Sequence, residues 1–209
     1  MSARTVVAVS AGMSQPSSTR LLADRLVAAT VDALATSGIE ATVEVVELRE
    51  LAHDVMDMML TGFPSARLSA AIDAVTQADG VVAVSPVFTA SFSGLFKSFL
   101  DVLDSTSLVG KPVLLGATAG TPRHSLVLEH AMRPVFAYLR TDTVATGVFA
   151  ATEDWGAPGT ASTELTDRVA RAGTELAAKI DAYAGPAPAG LTLHLPGLTE
   201  PEQVGIPRF

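Results

Sequence analysis

Residues 80–103 read GVVAVSPVFTASFSGLFKSFLDVL. The opening GVVAVS is a short, continuously apolar and β-branched run, the pattern of a strand buried on both faces. Residues 94–103 bring apolar side chains back at helical spacing and predict a helix. Between them, the stretch from Ser85 to Phe96 is small, apolar and free of charge. Outward from this unit the same alternation repeats. Residues 5–10 (TVVAVS) predict a first strand, and residues 18–36 a helix with Leu22, Leu26, Ala29 and Ala33 on one face and Gly38 as its stop. Residues 42–48 (TVEVVEL) predict a half-polar second strand suited to a sheet edge. Residues 50–60 are Met-rich and read as a short helix or an ordered loop. Helices are expected at 65–78, 124–138 and 162–184, and strands at 112–117 (PVLLGA) and 143–150.

Five strands alternating with helices specify an α/β chain, a doubly wound five-stranded parallel sheet covered on both faces. The apolar strands at 5–10, 80–85 and 112–117 belong in the centre and 42–48 at an edge, which gives the order 2-1-3-4-5. In that order ligands bind beyond the C-terminal ends of strands 1 and 3, where the winding reverses. The loops to inspect are therefore 11–19 and 86–93, with 118–123 beside them.

The chain has 209 residues, 48% hydrophobic and 17% charged, enough apolar mass for the core of one domain. With 14 Lys and Arg against 22 Asp and Glu the net charge is −8. That balance speaks against nucleic acid and against an anionic membrane surface, both of which want clustered cations. No segment approaches the length of a membrane span, and the N-terminus carries no signal-peptide pattern; a cytoplasmic protein is expected. The absence of cysteine removes disulfides, thiolate nucleophiles and Cys-ligated metals. The four His have no metal-ligand spacing, and no metal is expected. No G-x-S-x-G, no P-loop and no dinucleotide G-x-G-x-x-G occurs. Beyond Gly185 the prolines at 186, 188, 196, 201 and 207 break the pattern. Residues 1–184 are read as one domain and 185–209 as a proline-rich tail, in which Leu191, Leu193 and Leu195 alternate as a strand would.

The loop from Ser10 to Arg20 offers Ser14, Ser17, Ser18 and Thr19 at the start of a helix. Free N–H groups and the positive end of the helix dipole suit a phosphate there, while Ser17 or Ser18 acting simply as N-cap explains the same residues. The loop Ser85–Gly94 suits a flat, uncharged aromatic ligand, with Phe88 or Phe92 as a stacking face; a turn capped by Ser91 or Ser93 is the alternative. The third loop, Thr118-Ala119-Gly120-Thr121-Pro122-Arg123, again leads Gly and hydroxyls into a helix. A phosphate end, a flat apolar end and no acid–base machinery point to a redox cofactor that brings its own chemistry. Pro134 lies within an apolar-periodic helix, where its missing N–H frees the carbonyl of His130; a π-bulge or a simple kink is expected at 130–134.

Four stretches carry a family resemblance: S-x-x-S-S-T-R at 14–20, S-P-V-F-x-x-S-F-S-G-L-F-K-S-F-L-D at 85–101, A-T-A-G-T-P-R-H at 117–124 and L-E-H-A-M-R-P-V-F at 128–136. The chain resembles the NADPH-dependent FMN reductases of the flavodoxin-like superfamily, in the actinobacterial branch close to the flavin reductases of two-component sulfonate monooxygenase systems. The resemblance implies a flavodoxin-like fold and transfer of a hydride from NADPH or NADH to FMN. It implies FMN phosphate at Ser17 and Thr19, with Ser10, Ser14 and Ser18 nearby. It implies the isoalloxazine ring framed by Pro86, Val87, Phe88, Thr89, Ala90 and Ser91 and flanked by Thr118, Ala119 and Gly120, with no catalytic side chain. Many relatives have Arg where Ser14 stands, which leaves phosphate charge to helix N–H groups and Arg20. Many have Tyr where Phe88 stands. A homodimer or homotetramer and a flavin-dependent monooxygenase partner are implied as well. An FMN-retaining quinone, azo-dye or chromate reductase and a flavodoxin-type electron carrier share the fold.

Overall fold

A computed structural model describes residues 3–156 and 161–185. The proline-rich tail and its Leu191–Leu193–Leu195 alternation lie outside the described residues. The central path of the sheet runs β2 (Ala41–Glu47), β1 (Arg4–Ser10), β3 (Gly80–Phe88), β5 (Pro112–Ala119), β6 (Asp142–Thr143), all parallel. This is the expected order. Strand β2 has one neighbour and an exposed middle, as its polar alternation requires of an edge. One face is covered by α1 (Ser18–Thr36) and α6 (Thr163–Ala182). The other carries α2 (Ala52–Thr61), α3 (Ala66–Gln77), α4 (Gly94–Asp101) and the segment ending in α5 (Arg133–Tyr138). Strand residues alternate between the two cores: Val7 and Val9 go to one, Val6 and Ala8 to the other. Gly173 lets α6 close on α1, since a Cβ there would stand 2.7 Å from Ala29 backbone.

Three elements depart from expectation, and a fourth, over residues 50–60, takes the helical one of its two expected forms. The strand expected at 143–150 is two short strands, β6 and β7 (Val148–Ala151), both paired with β5. Side chains serve the polar groups between them: Arg133 donates to the carbonyls of Val144 and Ala145, and Glu175 accepts from the N–H and hydroxyl of Thr146. Strand β3 does not stop at Ser85. It runs to Phe88, turns through Thr89 and Ala90, and returns as β4 (Ser91–Phe92). Both turn residues have positive φ (47° and 66°), the φ signature of a type I′ hairpin. No Gly or Asn announces it, and so the sequence pattern does not reveal the hairpin. Residues 50–60 resolve into a 3₁₀ turn (Leu48–Leu51) and α2. The expected helix over 124–138 is a 3₁₀ turn (Pro122–His124), a π turn (Leu128–Met132) and α5. In the π turn the Arg133 N–H bonds the Leu128 carbonyl, one residue wider than an α bond. Pro134 follows it directly, so the bulge expected from the missing N–H is present.

Candidate functional site

Register brings the loops together. Ser10 pairs with Val84, Pro86 with Thr118, and Ala119 with Ala151. The C-terminal ends of β1, β3, β5 and β7 therefore finish at one edge of the sheet. There, Met13, Ser14, Ser18, Thr19, Pro86, Val87, Phe88, Thr118, Ala119, Gly120 and Thr152 line a cleft of about 260 Å³. All three loops singled out from sequence contribute. Sequence reasoning missed two lining residues, Met13 within the first loop and, outside all three loops, Thr152. Thr152 follows the end of the broken fifth strand, and its signal was positional only: it comes right after the strand end that lies against Ala119.

The first loop is built around the start of α1. Ser17 is the N-cap, its hydroxyl accepting from the Arg20 N–H at 3.2 Å. The capping role thus holds for Ser17, whose side chain lines a neighbouring recess and not the cleft. The next two N–H groups, of Ser18 and Thr19, lie in the first helical turn and have no acceptor within the helix. Gly12 packs against this cap: a Cβ there would come 2.0 Å from the Ser17 hydroxyl. Beneath, the Thr19 and Thr118 hydroxyls share a buried 2.8 Å hydrogen bond that ties the first loop to the third. Ser10 is completely buried at the end of β1, and its hydroxyl has no partner among the described residues.

The second loop is fixed by two serines. The buried Ser85 hydroxyl donates to the Pro86 carbonyl and accepts from the Ser93 N–H, both at 2.9 Å. Ser93, not Ser91, caps α4 by accepting from the Phe96 N–H. The hairpin Phe88–Ser91 then projects freely, with Phe88 51% exposed. Thr89, Ala90 and Ser91 form the hairpin tip and β4 and do not line the cleft.

The cleft lining carries no titratable side chain. Arg20, expected from sequence to meet phosphate charge, is turned away. Its Nε bonds Asp24 at 2.7 Å and its NH1 pairs with Glu47. The bond to Asp24, reinforced by Glu47 against partial desolvation, raises its pKa above the ordinary value. No group of three potential metal ligands occurs among the described residues. An uncharged cleft with a free helix N-terminus at one end and an aromatic face at the other suits a planar ligand bearing an anionic tail. Pro134 and His130 lie outside it. Pro134 and Tyr138 line a separate groove of about 530 Å³ between α4 and α5, with Lys97, Leu100 and Val135.

Residues 4–156 match the family model described as NADPH-dependent FMN reductase. A Pseudomonas aeruginosa protein named FMN reductase (NADPH) is 37% identical over 150 residues, 72% of this chain and 78% of that one. NADH-dependent FMN reductase SfnF of Pseudomonas fluorescens is 34% identical over 174 residues, 83% of this chain and 88% of its own length. Among solved structures, an oxidoreductase from Corynebacterium diphtheriae superposes with a TM-score of 0.82 at 46% identity, over 86% of this chain and 98% of that one.

Proposed function

The chain belongs to the NADPH-dependent FMN reductase family, and from that premise we propose that the cleft at the C-terminal edge of the sheet is where it holds FMN. It is an NAD(P)H:FMN oxidoreductase. The observation that carries the placement is the convergence of three loops on a single uncharged cleft. The residues present fit the cofactor. The Ser18 and Thr19 N–H groups and the hydroxyls of Ser14 and Ser18 are donors for its phosphate, and Ser17 holds that helix start in place by capping it. The buried Ser10 hydroxyl, without a partner among the described residues, lies at the foot of the same loop. Pro86, Val87, Phe88, Thr118, Ala119 and Gly120 frame its ring, with Phe88 as the exposed aromatic face and Thr89, Ala90 and Ser91 carrying the hairpin tip beyond it.

When bound, FMN supplies the two-electron chemistry, accepting the hydride of the reduced nicotinamide. The chain's contribution is positioning. The Ser85–Ser93 link and the hairpin hold one wall, and the Thr19–Thr118 pair holds the other wall to the phosphate end. With no titratable side chain in the lining, no protein group is assigned a proton.

Residues 1–184 are assigned to this reductase unit and 185–209 to the tail. The unit assembles as a homo-oligomer in the cytoplasm and delivers reduced flavin to a monooxygenase. The uncovered α4–α5 groove, with Tyr138 76% exposed, supports the assembly. One relative is named for NADPH and another for NADH, so both coenzymes belong in the test. Steady-state oxidation of each is measured with FMN, FAD, riboflavin and quinones as acceptors. Turnover with free FMN is expected. An electron carrier would show none, and a quinone reductase would favour quinone over added FMN.

A further inference from the structure

The phosphate end of the cleft is poor in positive charge. Behind the loop 13–17, Ser14, Ser17, Arg20, Glu47 and Arg49 line a second recess of about 260 Å³. Arg20 is held by two carboxylates, Asp24 and Glu47. Glu47 ends β2 and lies in register with Ser10, at the point where the first loop begins. Arg49, two residues on, has no carboxylate within ion-pair distance among the described residues. Its one hydrogen bond among them is an NH1 donation to the Met13 carbonyl at 3.3 Å, on the loop itself. Met13 and Ser14 also line the cleft, and Ser14 lines the recess as well, so this guanidinium is bonded to the loop that separates the two. The recess holds two guanidiniums and two carboxylates, a net charge of zero behind the loop that borders the proposed phosphate end.

We infer that Arg49 is the guanidinium available to the flavin phosphate, and that Glu47, by neutralising Arg20 together with Asp24, loosens the hold on that phosphate so that FMN exchanges as a substrate. This rests on the proposed placement of the phosphate at the start of α1. Arginine suits the task because its planar fork matches phosphate oxygens and its long stem can leave a single carbonyl contact for them. A carboxylate beside the loop opposes a bound phosphate directly and also cancels the nearest alternative cation.

The test is flavin-fluorescence titration of the wild-type protein, Arg49→Gln, Arg49→Lys and Glu47→Gln with FMN and with riboflavin, at low and elevated salt. Arg49→Gln is expected to weaken FMN about tenfold, the worth of one screened charged hydrogen bond, and to leave riboflavin unchanged. Arg49→Lys should restore part of the loss. Glu47→Gln keeps Asp24 on Arg20, so the fold is retained, and it should tighten FMN alone. The FMN preference of Glu47→Gln should fall with salt. If the wild type prefers FMN and neither Gln variant changes its FMN-to-riboflavin affinity ratio, the inference is overturned while the phosphate placement stands. Equal shifts for both flavins also overturn it, since they would mean that the loop was disturbed. A wild type that binds both flavins alike removes the placement and the inference together.

Discussion

Two residues set conditions that their neighbours must obey. Gly12 is needed for lack of a side chain: a Cβ would meet the Ser17 hydroxyl at 2.0 Å. Gly12→Ala should displace the cap, lowering stability by about 1 kcal/mol and FMN affinity with it. Thermal unfolding of the apoprotein, with a flavin titration beside it, checks both, and a fully retained cap and affinity would show that the loop gives way easily. Lys111 is completely buried at the opposite end of the sheet. Its ammonium donates to the Ala78 carbonyl and lies 5.3 Å from the Tyr183 ring centroid. Burial, partly offset by Asp79, pushes its pKa down from 10.5 to about 8. The folded state therefore sheds a proton that the unfolded chain still binds. The cost, on the order of 3 kcal/mol, is fully present below pH 8 and is relieved as pH rises toward 10.5. Burial raises the Tyr183 pKa, and its titration opposes this gain above about 10, so the usable window is about pH 8 to 10. Between those values the wild type should gain stability relative to Lys111→Met, measured by urea unfolding. Parallel pH profiles would show that Lys111 does not titrate in this range.

At the scale of elements, the site depends on a hairpin whose tip is built from unfavourable residues. Positive φ is uncommon outside Gly and Asn, and at a β-branched Thr it is an outlier. Thr89 and Ala90 hold it because β3 and β4 pair on either side and Ser85 ties the following loop down. Such strain gathers at ligand sites, at about 1–3 kcal/mol per residue. The double variant Thr89→Asn/Ala90→Gly keeps the same turn with residues that favour it. The apoprotein melting temperature should rise, and FMN affinity should hold because the backbone path is preserved. A lower melting temperature would mean that the Thr89 and Ala90 side chains support the tip in ways the φ angles do not reveal. The π turn before α5 is the second irregular element. Its cause is visible in Pro134, and its consequence is to change the phase of the helix just before Phe136 enters the core.

At the scale of the whole molecule, the described residues leave an apolar groove uncovered between α4 and α5. Helix α4 buries Phe96, Phe99 and Leu100 in its own core, yet Leu100 also lines the groove, while Leu126 is 61% exposed on the segment before the π turn. Among the described residues no helix is long and apolar enough to cross a membrane. Covering such a patch with a second copy removes it from water without any other partner. Sedimentation should give a mass above the 21.5 kDa of one chain, and Tyr138→Glu should shift it toward that value. A wild-type monomer at micromolar concentration would defeat the homo-oligomer.

Strand order was legible because burial on both faces demands unbroken runs such as TVVAVS and PVLLGA, whereas an edge tolerates TVEVVEL. Three site loops followed from the same reading, since the parallel order dictates which strand ends meet. The proline-induced bulge was legible too, because a missing N–H is a property of the residue itself. Tertiary structure alone decided the rest. The Thr89–Ala90 turn carries no local signal and exists only because β3 finds β4 as a partner. The fifth strand breaks where Arg133 and Glu175, distant in sequence, satisfy its backbone. Thr152 reached the cleft through register with β5. Arg20 looked in sequence like a phosphate ligand, but the fold set Glu47 within its reach. Sequence patterns report what a residue needs from its own neighbourhood; charge pairing and strand pairing depend on which distant groups the fold brings near.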